Sequence, residues 1–468
     1  MKRASPLLLV LLCACAAGPD YKRPQTPPEA QFRETPEAWK KAQPRDEIAR
    51  GKWWEMFGDA QLSTLVEKVA VSNQTLAAAE AQYRQAMAAV RVARAALFPE
   101  IDATGSATRA QSPSGAIGGT TAGRTITTHS AGLSVSNWEL DLWGRVRRTV
   151  EASEASAQAS AGDLASARLS IQSQLATDYF QLRVLDVQKR LLDETVGALK
   201  KSLELTNNRY NVGVAAKADV VAADAQLKSV LVQATDVGVQ RAQLEHAIAV
   251  LAGAAPAELS IPPQPAYTAP VPVIPPGLPS DLLERRPDVA ATERRMIAAN
   301  AQVGAAQAAF FPAATLSATL GYRSQETSTW FTAPSRFWSL GPSVVLALFD
   351  AGLRRAQSDQ AIAAYDATVA NYRGTVLTAF QEVEDNLAAL RILEEEAQAE
   401  DDAVRAARQS LDLTLNQYKA GTVSFLNVVQ VTTALFNEER NAIGIQGRRL
   451  AAAVALVRAI GGGWQPAR

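Results

Sequence analysis

The chain has 468 residues, with 47 basic and 47 acidic side chains and no net charge, which argues against nucleic acid as the partner. Apolar residues make up 47% but aromatics only 6%. Much of the apolar share is Ala, which suits closely packed helices better than one thick globular core.

In chain order, the first segment reads as an address. Lys2 and Arg3 precede a short apolar run, Pro6–Leu12, too short to span a membrane. The run ends in "LCAC", Leu12–Cys15, which resembles a bacterial lipobox. That resemblance implies a signal peptide of residues 1–14 and a covalent lipid, diacylglycerol plus an N-acyl chain, on Cys15. Ala16 follows the cysteine in place of Asp, which by resemblance to sorted lipoproteins points to the outer membrane. One acyl chain anchors marginally and several anchor firmly, at about 0.8 kcal/mol per buried methylene. Plain cleavage at small residues is the alternative. Loss of Cys13 leaves a single cysteine, so the mature chain has no internal disulfide and no thiolate metal site. His129 and His246 are far apart in sequence, and no Gly-rich phosphate loop followed by Lys and Ser/Thr occurs. The expectation is a protein that is not an enzyme and needs no cofactor beyond its lipid.

Residues 15–52 form a Pro-rich extended arm. Two repeats of one design follow, at 53–254 and 280–464, separated by a Pro-rich linker at 255–279 and ending in a tail at 465–468. Each repeat opens with a helix that closes on a similar phrase, "RAALFP" (Arg94–Pro99) or "QAAFFP" (Gln307–Pro312). Each then has two candidate strands, a very long helix, a turn and a second helix. The turns repeat almost word for word: seven of twelve residues are identical between 202–213 and 410–421. Gly213 and Gly421 stand three residues past Tyr210 and Tyr418, where a left-handed helix C-cap is expected. The chain then returns as an antiparallel hairpin, with Asp219 near the positive start of its second helix.

The long helix of the second repeat carries a seven-residue stripe: Ile362, Val369, Val376, Val383, Leu390, Ala397, Val404, Leu411 and Tyr418. A strict heptad predicts left-handed supercoiled packing. The run from Arg354 to Lys419 corresponds to roughly 100 Å of helix. The first repeat has a weaker stripe, Leu175, Leu182, Val196, Leu203 and Tyr210, interrupted at Lys189.

The strands alternate. Ala314, Leu316, Ala318, Leu320 and Tyr322 share one face, with Thr315, Ser317, Thr319 and Gly321 on the other. Leu340–Phe349 places Val344, Leu346 and Leu348 on one side. Ala131, Leu133 and Val135 alternate likewise, and Ile101–Ala107 does so weakly. Apolar-out, small-or-polar-in is the pattern of a transmembrane barrel strand, although a half-exposed soluble sheet alternates in the same way. Trp138 and Trp143 flank the strands at one end and Trp330 and Trp338 at the other, as interface girdles do. Four strands cannot close a barrel, and an open edge in lipid is prohibitively costly, so a membrane reading requires several copies of the chain. Periodicity leaves open whether these are two, three or more.

"LLERRPDVAATERRMIAANAQVGAAQAAFFP" (Leu282–Pro312) closely resembles a hallmark segment of the outer-membrane efflux lipoproteins, the TolC-like factors of the NodT type. "GPDYKRP" (Gly18–Pro24), "WWEMFGD" (Trp53–Asp59) and "YKAGTVSFLNVV" (Tyr418–Val429) fit the same family. The resemblance implies an α+β membrane protein: a homotrimer sharing one twelve-stranded outer-membrane β-barrel, continued by a long periplasmic α-helical coiled-coil barrel. It implies as partners outer-membrane lipid, a periplasmic membrane-fusion adaptor and an inner-membrane pump of RND type, with no nucleic acid. The six hairpin tips of the trimer become the periplasmic mouth. Gly213, Val214, Gly421 and Thr422 fall where the adaptor docks.

Relatives narrow that mouth with acidic residues; the matching positions here are Asn427 and Gln430, and a basic partner position holds Val423. Asp219 matches an acidic partner and is retained. Closure is therefore expected from packing of Tyr418, Phe425 and Leu426 and from hydrogen bonds of Asn427, unless Asn427 simply caps its helix. Two other readings share parts of this pattern: a type I protein-secretion duct, and a structural lipoprotein that spans the periplasm without a pore. The tether has no need of alternating strands or a duplicated turn.

Overall fold

The computed structural model describes residues 17–23, 51–111, 125–274 and 285–462. The signal peptide, Cys15, most of the arm, the loop at 112–124 and residues 275–284 lie outside the described residues.

A short 3-10 turn, Trp53–Phe57, leads into α1, Ala60–Ser72, whose first amides at Gln61 and Leu62 are both capped at 2.9 Å by the Asp59 carboxylate. Asn73 ends α1 and starts α2, Gln74–Ala95: its Oδ1 accepts from the Leu76 amide at 2.9 Å. Strands β1, Asp102–Gln111, and β2, Thr125–Glu139, follow. Asp141 accepts from the amides of Val146 and Arg147 and so opens α3, Arg145–Asn211. The first repeat closes with α4, Lys217–Leu251. The second repeats the order: α5, Pro287–Ala308; β3, Ala313–Ser324; β4, Arg336–Val345; α6, Leu353–Lys419; α7, Phe425–Ala459.

The four strands form one antiparallel sheet in the order β1-β2-β3-β4, so the central β2–β3 ladder joins the two repeats. Strand β4 lies four residues earlier than the alternation suggests. It pairs from Tyr322↔Arg336 to Ala313↔Val345, and β3 cannot extend further back because Pro312 has no amide to donate. Leu346 and Leu348 therefore lie beyond the ladder, exposed. At Asn137 the β2 backbone turns to φ 52° and the register with β3 shifts between Val135 and Trp138, a bulge held by Ser317 Oγ.

The chain divides into two compact units that cut across the repeats. One unit takes Gln82–Ala161 and Ala291–Arg373, with the sheet; the other takes Gly162–Ala290 and Gly374–Arg468, with both hairpin turns. In the second unit the hairpin α3–α4 buries Leu185, Leu192, Val196 and Leu199 against Leu227, Val230, Ala234 and Val237, joined by Phe436 of α7. The heptad stripe of α6 is buried at Val376, Val383, Val404 and Tyr418, whereas Ile362, near its start, is exposed.

Candidate functional site

Two regions carry candidate function, the sheet and the two hairpin turns. Register assigns the faces of the sheet. Leu133, Leu320 and Trp338 lie in one cross-strand row, with Val135, Ala318 and Leu340 in the next, and Val344 further along the same face. Leu133, Leu320, Trp338, Leu340 and Val344 are all more than half exposed. The opposite face reads mostly Thr104, Ser106, Ser130, Ser134, Ser317, Thr319, Ser339 and Ser343, with Gly132 facing Gly321 and with Phe337 and Val345 near the two ends of β4. Ser106 and Ser130 hydroxyls meet at 2.7 Å across β1 and β2. An aliphatic exposed face backed by hydroxyls and glycines is what a wall between lipid and water requires. Both outer strands, β1 and β4, keep an unpaired edge within the described chain.

The four tryptophans divide between the two ends of the sheet. Trp138 is on β2, beside Leu316 of β3. Trp143 follows β2, stacks on Phe311 at 4.9 Å and donates Nε1–H to the Pro312 carbonyl at 2.8 Å. Trp338 stands on β4 and is exposed. Trp330 is in the turn between β3 and β4, stacked on Phe331 at 4.9 Å and 5.2 Å from the His129 ring. It closes that turn against β2.

The short described piece of the arm is fixed in the same unit. The Ala17 amide donates to the Trp143 carbonyl at 2.9 Å, and Asn300 and Arg148 donate to the carbonyls of Pro19 and Ala17. Gly18, at φ 94°, crosses Gly304 of α5 so closely that a Cβ on it would lie 2.4 Å from the Gly304 Cα. Arg23 pairs with Glu293 at 2.9 Å. This is the physical content of the "GPDYKRP" motif: its glycine is required where two backbones touch.

The two hairpin turns share one design. Gly213 and Gly421 both have φ 79°. Val214 and Thr422 donate their amides back to Arg209 and Gln417, and the two glycines donate to Tyr210 and Tyr418. This pair of bonds satisfies the last carbonyls of each helix and is the expected left-handed cap. Gly213, Val214, Gly421 and Thr422 are all exposed. The Asp219 carboxylate accepts from the Ala216 amide at 3.3 Å, so it caps its own helix.

Beyond the turns the repeats diverge. Tyr418 is 4% exposed; Tyr210 is 40% exposed. Tyr418 meets Phe425 with ring centroids 5.5 Å apart and planes tilted by 60°, within a cluster with Ala223 and Val428, against which Val423 packs. The Arg209 guanidinium lies 4.5 Å over the Tyr418 ring, and its Nη1 donates to the Tyr418 carbonyl at 2.9 Å. Leu426 does not join Tyr418 and Phe425; it is 57% exposed, about 100° around α7 from Phe425. Ser424 occupies the N-cap of α7, and its hydroxyl donates to Asn427 Oδ1 at 2.8 Å, so Asn427 does not itself cap the helix. Asn427 and Gln430 are exposed.

A buried polar cluster in the same unit escaped the sequence reading. Arg183 is fully buried and pairs with Asp186 at 2.8 Å; Asp186 also binds Arg241 at 2.7 Å and the Gln264 amide at 2.9 Å. Arg183 further donates to Pro262 O at 2.9 Å and Gln61 Oε1 at 2.5 Å. Next to it, Asp59 accepts from Tyr179 and Tyr267 at 2.7 and 3.1 Å. Burial first, and the Asp59 charge with it, pushes both phenols up. The described part of the Pro-rich linker is thus clamped to α1, α3 and α4. An arginine directly after the apolar Leu182 of the stripe was the available signal.

A sheet with one lipid-compatible face and two open edges, joined to long helical hairpins with matched turns, defines a subunit of an outer-membrane channel. The sequence profile described as "Outer membrane efflux protein" matches residues 65–254 and 278–462. The chain belongs to the outer membrane efflux protein family. It is 34% identical to the toluene efflux pump outer membrane protein TtgC of Pseudomonas putida, over 97% of this chain and 94% of that one. It is 32% identical to the pyoverdine export outer membrane protein OpmQ of Pseudomonas aeruginosa, over 89% and 88%. The solved outer-membrane channel OprN superposes with a TM-score of 0.90 at 31% identity, covering 97% of this chain and 100% of that one.

Proposed function

We propose that three copies of this chain form the outer-membrane duct of a tripartite efflux system, passing small molecules from an inner-membrane pump through a periplasmic adaptor to the outside. The observation that carries this is the four-stranded sheet with its exposed aliphatic face and two open edges. Pairing β4 of one copy with β1 of the next satisfies those edges, and three copies close a twelve-stranded barrel lined mostly by Ser, Thr and Gly. On this reading residues 1–14 are the signal peptide, 15–52 the lipidated arm, 53–254 and 280–464 the two repeats, 255–279 the linker between them and 465–468 a tail. The chain performs no chemistry, and energy comes from the pump. Relatives at 34% and 32% identity are named for exporting toluene and pyoverdine, which are chemically unlike. That supports a duct that leaves the choice of substrate to its partner.

Exposed Val214 and Thr422 at the tips serve as adaptor contacts, and the turns bearing Asp219, Tyr418, Val423, Phe425, Leu426, Asn427 and Gln430 form the gate. Purified trimers in planar bilayers test this. Asn427→Ala, which removes the acceptor of the Ser424 hydroxyl, is expected to raise conductance; a wild-type value counts against Asn427 as a gate residue.

Lipidation of Cys15 is supported by the arm. Ala17, two residues later, is tied to Trp143, whose ring stacks on Phe311 at the foot of the sheet, where acyl chains reach the inner leaflet. Cys15→Ser is expected to abolish incorporation of labelled palmitate; retained label refutes lipidation at this residue.

A further inference from the structure

We propose that Arg109 and Arg336 form a phosphate-binding pair for lipid headgroups of the outer leaflet, assembled across each seam between two copies of the chain; this rests on the shared barrel. Register places both residues on the lipid-compatible face. Arg336 pairs with Tyr322, two residues along β3 from Leu320, and Arg109 pairs with Thr127, six residues along β2 from Leu133. Side chains alternate along a strand, so both arginines share the face of Leu133 and Leu320. No lysine or other arginine lies on that face within the four strands, and no Asp or Glu accompanies the pair.

Their height on the wall is what a headgroup contact requires. Along this face β4 reads Arg336, Trp338, Leu340, Pro342 and Val344, from cation through aromatic to aliphatic. On β1 the same face reads Ala103, Gly105, Ala107 and Arg109. The arginine end of the sheet carries the β3–β4 turn; α2 enters β1 and β4 leaves for α6 at the other end. The eight residues from Arg336 to Val344 span about 27 Å along the strand and about 20 Å along the membrane normal at an ordinary barrel tilt, close to the ~25 Å height of an apolar band. With Val344 at the inner margin of the band, Arg336 stands at the outer one, where an arginine is tolerated; at mid-membrane it is strongly destabilising.

The pair exists only in the assembly. β1 and β4 are the two edges of the sheet, so within one chain the arginines stand at opposite edges. Antiparallel pairing of β4 with β1 of the next copy brings the outer ends of these edges together. Arg336 is the first residue of β4, and Arg109 lies two residues from the end of β1. Each seam then presents two guanidiniums on one face. Both are exposed, and neither forms an ion pair among the described residues. A guanidinium fork makes bidentate, charge-assisted bonds to phosphate, and two forks suit a doubly charged group. Trp338 is 74% exposed on the same face, and Phe331 is 66% exposed, 5.6 Å from the Tyr322 ring. Such rings sit where acyl chains meet their headgroups. A phosphate carried on a lipid is therefore favoured over the free ion, because its chains cover the aliphatic rows beside the arginines.

Arg323 supplies an internal control. It lies near the same end but on the Ser/Thr face, with its guanidinium 4.6 Å over the Phe337 ring.

The experiment loads full-length purified trimers in detergent with bisphosphorylated lipid A and counts the retained lipids by native mass spectrometry. Wild type is expected to retain one per seam. Arg109→Gln and Arg336→Gln should each weaken retention about tenfold, the loss of one charge-assisted contact. The double variant should hold lipid A no better than wild type holds lipid A stripped of its phosphates. Arg323→Gln should match wild type; a loss there equal to that of the pair shows a general charge effect and overturns the site. Wild-type retention in the double variant also overturns it, as does equal retention of phosphorylated and stripped lipid A. Release by excess inorganic phosphate assigns the pair to the free ion and overturns the lipid reading. If the double variant fails to assemble, the single variants decide: wild-type retention in both refutes the pair. Trimer formation and bilayer conductance are measured on the same samples. Wild-type chains that form no conducting trimer reject the shared barrel; conducting trimers that retain lipid A no better than the double variant reject the seam site alone.

Discussion

Arg183→Ala is expected to destabilise the protein by about 3 kcal/mol or more, the usual consequence of removing one partner from a buried ion pair. The size follows from what is stranded. Asp186 is 1% exposed and shares its two oxygens among Arg183, Arg241 and the Gln264 amide. Without Arg183 it keeps Arg241, but half of its buried charge pairing is gone, and Pro262 O and Gln61 Oε1 lose their donor. The linker loses its Arg183 bond at Pro262 O and keeps those from the Gln264 amide to Asp186 and from Tyr267 to Asp59, so a lower melting temperature should be accompanied by increased protease cleavage between residues 255 and 274. Arg183→Lys should fall between, because an ammonium cannot reach Asp186, Gln61 and Pro262 as the flat fork does. An unchanged melting temperature in Arg183→Ala would show that the cluster contributes no net stability.

The second large effect is expected in the sheet. Gly132 and Gly321 face each other across the β2–β3 ladder on the Ser/Thr side. A Cβ on Gly321 would collide with the Ala131 carbonyl oxygen and lie 2.7 Å from the Gly132 Cα. These are backbone atoms of a paired strand and cannot swing aside. Gly321→Val should therefore break the ladder that joins the two repeats and prevent assembly of the barrel, read as loss of heat-modifiable trimer in outer-membrane fractions. Gly341 supplies the control. It pairs with Ser317 on the same face, and a Cβ there meets nothing within 4 Å. Gly341→Ala should assemble normally; failure of both variants, or of neither, would show that close approach at Gly321 is not the cause.

Much of the fold is legible in local pattern. The alternation of Ala314 to Tyr322 places β3 almost to the residue, because side-chain direction in a strand is set by its own pleat. Gly213 and Gly421 mark both hairpin turns, because a left-handed cap depends on the residue occupying it. The start of β4 was displaced, because a ladder begins where its partner permits, and β3 is bounded by Pro312. At the turns, Tyr418 and Phe425 do meet, but Leu426 is exposed, since consecutive helical residues point about 100° apart.

By itself the sequence determined the duplicated design, the heptad helices, the capped turns and the two-faced strands, all of which follow from spacings of two, three or seven residues along one chain. Only the tertiary structure decided that Arg209 closes over Tyr418 while Tyr210 stays open, that Arg183 holds the linker, and that Gly18 and Gly304 touch, as do Gly132 and Gly321. In each case the partners are brought together by packing from distant parts of the chain, and no local periodicity records which neighbour a helix or strand will meet.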